Sequence, residues 1–349
     1  MAAVIREING HLIGVNPNKP RQIFFDQNDM PKNLLKGPFD VKEIVQWLSH
    51  GVSHSPLVLK HEITSLCELS CPFCYIKGHV PGKHTTFAEA KEMYDWLLEQ
   101  GLIYAILTGG NPTLNPDFPL IYRYLKEHGV FVDIYTNGLS FTDEIFSLLA
   151  ELPPRSVEIT FYDTDDVRPE PFHVAEKLID MGIHVLAKVT VTKRTKYAVG
   201  EASAWARKHG VRVSLDNDLF DARDGEVVSN LTAKKPRKKY RMKRDNEARK
   251  VGSIPTAFSC SAGFCSVFID SQGRLGICPR SAMRFDGALP EAYENLKAHV
   301  EEHKRTFFNE RCNTCTKARA CHMCVARAEF KNGRYCIPEG WCEAHTLRS

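Results

Sequence analysis

Between Leu57 and Leu215 six short apolar runs, LVL (57–59), AIL (105–107), VFVDI (130–134), VEI (157–159), VLAKVTV (185–191) and VRVSL (211–215), alternate with amphipathic stretches of helical length. Each run has the length and β-branched character of a strand. Few folds accept such a repeat, because parallel strands need right-handed crossovers and the crossover helices must cover the sheet. Helix ends are legible too. Thr86 and Glu89 have capping-box spacing, Ala90, Met93 and Leu97 mark one face, and Gly101 stops the helix. Asn115 and Pro116 are expected to open the next helix and Gly129 to close it. Six units are too few for a closed eightfold barrel. The expected fold is α/β, a partial (β/α)6 TIM-like barrel over residues 57–222, with chemistry at the C-terminal strand ends.

The flanks differ from this core. Residues 1–56 form an N-terminal section with a β element around QIFF (22–25) and a helix around VKEIVQWL (41–48). Residues 223–255 read as a connector, and its stretch 234–250 carries ten Lys/Arg against two Asp/Glu, which leaves the rest of the chain at −4 against a formal +4 overall. A run of this kind suits a solvated helix face or an acidic partner. From residue 256 onward the cysteines are dense, around an expected hairpin (CSVFID, Gly273, RLGIC) and a helix near Glu291–Phe307. That density marks a second, metal-stapled domain over residues 256–349.

No basic segment followed by an apolar core opens the chain, and no run reaches the length of a membrane span, so a cytoplasmic protein with no membrane partner is expected. In a reducing compartment twelve cysteines point to metal rather than disulfides. Their spacing selects the metal. Cys67, Cys71 and Cys74 place three thiolates within eight residues on the loop after the first strand. A loop this tight can ligate three irons of a [4Fe–4S] cluster and leaves the fourth iron open to a ligand. Zinc wants four closed ligands, and His79 is the only further candidate nearby.

This spacing, with Phe73 before the last Cys, resembles the signature of the radical S-adenosylmethionine (SAM) superfamily. The resemblance implies SAM bound through its amino and carboxylate groups at the open iron, a one-electron break of the S–C5′ bond to the 5′-deoxyadenosyl radical, and an electron donor of flavodoxin or ferredoxin type. Thr108-Gly109-Gly110-Asn111-Pro112 follows the second strand and resembles the family's Gly-Gly-Glu-Pro, with Asn111 in place of Glu. By the same resemblance Phe73, Gly109, Gly110, Asn111, Pro112, Thr136, Asn137 and Thr160 are expected to contact SAM.

The C-terminal cysteines resemble the SPASM domain, an iron–sulfur module of peptide-modifying radical enzymes. Twelve residues separate Cys260 from Gly273 and four separate Gly273 from Cys278, and the intervals through Cys312, Cys315, Cys321, Cys324 and Cys342 are two, five, two and seventeen. The resemblance implies one auxiliary cluster on Cys260, Cys265, Cys278 and Cys324 and another on Cys312, Cys315, Cys321 and Cys342, hence three [4Fe–4S] clusters with Cys336 left over. Sulfatase-maturing members carry Asp after the Cys that Cys278 matches. Here Pro279 and Arg280 follow it. The expected activity is therefore modification of a ribosomally synthesised precursor peptide by crosslink, thioether, epimerisation or excision, aided by a separate leader-recognition protein. A sulfatase-maturase-like enzyme and a small-molecule radical SAM dehydrogenase are the alternatives. Nucleic acid is not expected, since such a partner needs neither the unclosed triplet nor the Gly-Gly turn.

Overall fold

The computed structural model describes residues 4–8, 11–15, 23–25, 55–71, 73–76, 82–161, 169–192, 196–216, 262–263 and 265–307. The expected helix at 41–48, the basic stretch 234–250, His79, and Cys260, Cys312, Cys315, Cys321, Cys324, Cys336 and Cys342 lie outside the described residues.

The N-terminal section contributes β1 (Val4–Ile8), β2 (His11–Val15) and β3 (Ile23–Phe25), an antiparallel three-stranded sheet in chain order. All six expected core strands form: β4 (Val58–Thr64), β5 (Tyr104–Gly109), β6 (Phe131–Thr136), β7 (Ser156–Phe161), β8 (Val185–Thr190) and β9 (Arg212–Asp216). They pair in parallel, each with its successor. Between them run α1 (Phe87–Glu99), α2 (Phe118–Glu127), α3 (Asp143–Glu151), α4 (Glu170–Asp180) and α5 (Lys196–Lys208). The architecture is the expected partial barrel.

Two further strands were not expected in this sheet. β10 (Ser266–Ile269) and β11 (Leu275–Gly276) form the hairpin legible around Gly273, and α6 (Leu289–Phe307) follows. β10 pairs in parallel with β4, Ser266 opposite Val58, and the Val58 N–H donates to Cys265 O at 2.9 Å. The sheet therefore has eight strands in the order β11-β10-β4-β5-β6-β7-β8-β9. An edge strand has unpaired donors and acceptors, and the C-terminal hairpin satisfies those of β4. Arg280, just past β11, donates to Asp216 Oδ2 of β9 at 2.9 Å, tying the two margins of the curved sheet together.

Alternation along the strands sorts side chains into two layers. Leu59, Ile63, Leu107, Val132, Ile134, Val157 and Ile159 pack outward against Ala90, Tyr94, Leu97, Ile121 and Leu125 of the helices. Below the barrel, Ile8, Ile13 and Val15 pack on Val58, Tyr104 and Phe131, so the N-terminal sheet closes the floor. There the Arg155 Nε donates to Asp133 Oδ1 at 2.9 Å, the Tyr104 hydroxyl donates to Asp133 at 2.5 Å, and Arg155 caps the Tyr104 ring.

The capping box of α1 forms as expected: the Glu89 N–H donates to Thr86 Oγ1 at 3.3 Å and the Thr86 N–H to Glu89 Oε2 at 2.8 Å. Such a cap contributes about 1 kcal/mol. Asn115 does not cap α2, which begins at Phe118 after Asp117. Its amide instead donates to Ile63 O (2.7 Å) and Thr85 O (2.8 Å), pinning the top of β4 to the approach of α1. Its Oδ1 stays local and accepts from the Asp117 N–H at 2.8 Å, so donor and acceptor of one buried amide are both satisfied. No helix among the described residues is long and apolar enough to cross a membrane.

Candidate active site

At the C-terminal end of the barrel the loop after β4 carries Cys67, Cys71 and Cys74. All three thiols line one cavity of about 170 Å³ with Phe73, Gly109, Gly110, Thr136, Asn137 and Thr160. Asn111 and Pro112 are buried and stand behind the wall rather than in it. Of the C-terminal cysteines the described residues include Cys265 and Cys278. The hairpin pairs Phe268 with Gly276, which returns Cys278 toward the end where Cys265 is buried beside the floor of the barrel.

The cysteine loop lies flat on the Gly-Gly turn. The Gly110 N–H donates to Thr64 O and the Asn111 N–H to Leu66 O, both at 2.8 Å. A Cβ on Gly109 would overlap Thr64 O, one on Gly110 would overlap Leu66 O, and Gly109 has φ +142°. The close approach expected of these glycines is thus made to the chain's own cysteine loop, while both residues also face the cavity.

Glu68, within the cysteine motif, fastens the loop to two strand ends. Asn111 Nδ2 donates to Glu68 Oε1 and Asn137 Nδ2 to Glu68 Oε2, both at 2.9 Å, and the Ser140 hydroxyl donates to Oε1. Desolvation opposes the charge, but the donors Ser140, Asn137 and Asn111 hold the Glu68 carboxyl below its usual pKa. Asn111 is spoken for on its other side as well, since Thr136 Oγ1 donates to its Oδ1 at 2.7 Å. The residue that stands where the family has Glu is therefore a clasp between Glu68 and Thr136.

The thiols crowd each other. Burial, then the neighbouring Cys74 and Cys67, push the Cys71 thiol up to about 12, and burial likewise raises Cys67. The Leu69 N–H (3.4 Å) and Asn137 Nδ2 (3.6 Å) approach Cys67 Sγ and favour its thiolate. Three soft donors lining one cavity suit a cluster's irons, whose positive charge would favour the thiolates that burial opposes. The donor set fits a three-cysteine iron–sulfur site.

The lower cavity holds what the sequence reading missed: Lys60, Tyr135, Glu158, Lys188, Asp216 and Arg280 line it. A signal was present. Lys60, Glu158 and Lys188 each interrupt an apolar parallel strand, where charge is costly unless it is paired or used.

The model of the Radical SAM superfamily matches residues 61–219. Mycofactocin maturase MftC from Mycobacterium tuberculosis is 30% identical over 205 residues, 55% of this chain and 52% of that protein, so the chain spans about half the length of this relative. The AdoMet-dependent heme synthase of Methanosarcina barkeri is 25% identical over 84% of this chain and 97% of that protein. Among solved structures, SuiB of Streptococcus suis bound to precursor peptide SuiA superposes with a TM-score of 0.66 at 14% identity over 97% of this chain and 98% of that one, a likeness of fold. The cysteine triplet on the loop after β4, the Gly-Gly turn against it and the matched core agree: residues 61–219 form a radical SAM domain, and the chain is similar to peptide maturases.

Proposed function

We propose that this enzyme modifies a ribosomally synthesised precursor peptide, using SAM at the cluster of Cys67, Cys71 and Cys74 and two auxiliary clusters on the C-terminal cysteines. The observation that carries the reading is one cavity running from the three thiols to a charged lumen, which gives a cofactor and a polar substrate a shared space. Relatives support the substrate class: MftC is a maturase, and SuiB is seen with a precursor peptide and with SAM.

When bound, the cluster and SAM supply hydrogen-atom abstraction from the substrate. The chain's own residues prepare that chemistry. Cys67, Cys71 and Cys74 hold the cluster, with Asn137 and the Leu69 N–H steadying the Cys67 sulfur. Glu68 and Asn111 lock the loop at one height over the barrel, and Gly109, Gly110, Phe73, Thr136, Asn137 and Thr160 supply the wall against which SAM lies. The N-terminal sheet keeps water out from below. Substrate then enters from the cluster end, away from the packed floor.

Co-expression with small peptides encoded beside the gene, read by mass spectrometry, tests the reading. A mass change that needs Cys67, Cys71 and Cys74 supports it, and modification of a small molecule with every peptide unchanged overturns it. Cluster content is a second test. Anaerobically reconstituted protein is expected to hold about twelve irons per chain, four for each cubic cluster. Iron near four, or stoichiometric zinc, would reject the auxiliary assignment.

Asn111→Ala is expected to weaken SAM binding by ~1–3 kcal/mol, because Glu68 and Thr136 each lose a buried partner. Equilibrium titration of SAM checks this, and an unchanged dissociation constant would show that Glu68 holds the loop without Asn111.

A further inference from the structure

Below the thiols, five charged side chains from five separate segments face the cavity: Lys60 (β4), Glu158 (β7), Lys188 (β8), Asp216 (β9) and Arg280, past β11. Charges collected from four strands and the segment after β11 do not arise from one local motif. The two carboxylates are both engaged. Lys188 Nζ lies 3.5 Å from Glu158 Oε1 and 3.7 Å from Asp216 Oδ2, and Arg280 reaches Asp216 Oδ2 at 2.9 Å. Lys60 is different. Its ammonium has no ion pair among the described residues and rests 5.0 Å from the centroid of the Tyr135 ring.

The nearby acids do not satisfy it. Asp133 is held by Arg155 and Tyr104 beneath the cavity, and Glu62, on the same strand, does not line it. Burial, then repulsion from Lys188 and Arg280 against attraction from Glu158 and Glu62, lowers the Lys60 pKa to about 8. A half-buried lysine facing open space and two other cations awaits an anion. Arg280 adds position: it is carried by the segment that joins the sheet margins, so it reaches the lumen only when the C-terminal hairpin is docked on β4.

The geometry points to a substrate carboxylate seated on Lys60, with Lys188 and Arg280 completing a positive cradle whose orientation Glu158 and Asp216 hold. This rests on the reading that a peptide enters this cavity, and it narrows that reading to a peptide presenting an acidic side chain or its C-terminus beside the hydrogen to be abstracted. The floor sealed by Ile8, Ile13 and Val15 makes the cradle a dead end. A chain terminus or a side chain fits a dead end, and a continuous extended segment does not.

Three probes separate the cases: N-acetylglutamate N-methylamide for a side-chain carboxylate, N-acetylalanine for a terminal one, and N-acetylglutamine N-methylamide as the uncharged match. Each is titrated into the SAM-loaded, cluster-reconstituted enzyme by saturation-transfer NMR. One of the two acids is expected to bind at least about tenfold tighter than the amide, and which one names the source of the carboxylate. Lys60→Met is expected to erase that preference and Lys60→Arg to keep it, with the carboxylate affinity falling by more than the SAM affinity. Equal binding of acid and amide to the wild-type enzyme overturns the proposal without any variant. A loss of SAM affinity as large as the loss of acid affinity also overturns it, by giving Lys60 to SAM. Wild-type enzyme that forms no 5′-deoxyadenosine from SAM under reduction would instead reject the underlying reading, so the two failures are distinct.

Discussion

Replacing Cys67, Cys71 and Cys74 together by Ala is expected to remove about four irons per chain and to bring 5′-deoxyadenosine formation to background, while iron on the C-terminal cysteines persists. The size of the effect follows from the geometry. The three thiols are the soft donors at the strand-end cavity, and among the described residues nothing else lining it, Tyr135, Glu158 and Asp216 included, offers sulfur. The loop itself should survive, because Glu68, the Gly110 N–H and the Asn111 N–H hold it without the cysteines. Iron and sulfide analysis and chromatography of the nucleoside product read the two outcomes separately. Deoxyadenosine at the wild-type rate would refute the assignment.

The second large effect is expected at Gly109. Ala there forces a side chain into a positive-φ position and drives its Cβ into Thr64 O, a backbone atom that no rotamer change can move aside. Strain and overpacking together are expected to cost about 2–4 kcal/mol. The damage should be local in kind, since the displaced atoms are the ones that seat the cysteine loop on β5. Gly182→Ala is the control: φ is +76° but no atom lies within 4 Å of the added Cβ, so strain acts alone and about 1 kcal/mol is expected. Denaturant unfolding gives both numbers. A Gly109 variant no less stable than the Gly182 variant would mean that the loop can move off the strand cheaply.

The Glu68–Asn111 clasp gives the Asn at the family's Glu position a physical meaning. A carboxylate is still present at this corner, but it comes from the cysteine motif, three to six residues from Cys71 and Cys74, and Asn111 serves it as a donor. A carboxylate that accepts from Asn111, Asn137 and Ser140 holds the cysteine loop and two strand ends in one register.

Features that rest on neighbouring residues were determined by the sequence alone. The six strands follow from β-branched runs, the cap of α1 from Thr86 and Glu89 three residues apart, the hairpin from Gly273, and the meeting of three thiols at one cavity from three cysteines within eight residues. Each is local because the backbone conformation or the ligand geometry involved spans one turn or one loop. Tertiary structure decided the rest. The Asn115 side-chain N–H groups reached carbonyls 52 and 30 residues away, Glu68 found donors 43, 69 and 72 residues along the chain, and β10 returned more than 200 residues to pair with β4. The lumen charges show the same division. The sequence displayed Lys60, Glu158 and Lys188 as interruptions in apolar strands, but only the curvature of the sheet brought them to one cavity, because which charges share a space depends on the closure of the barrel and not on any spacing within a strand.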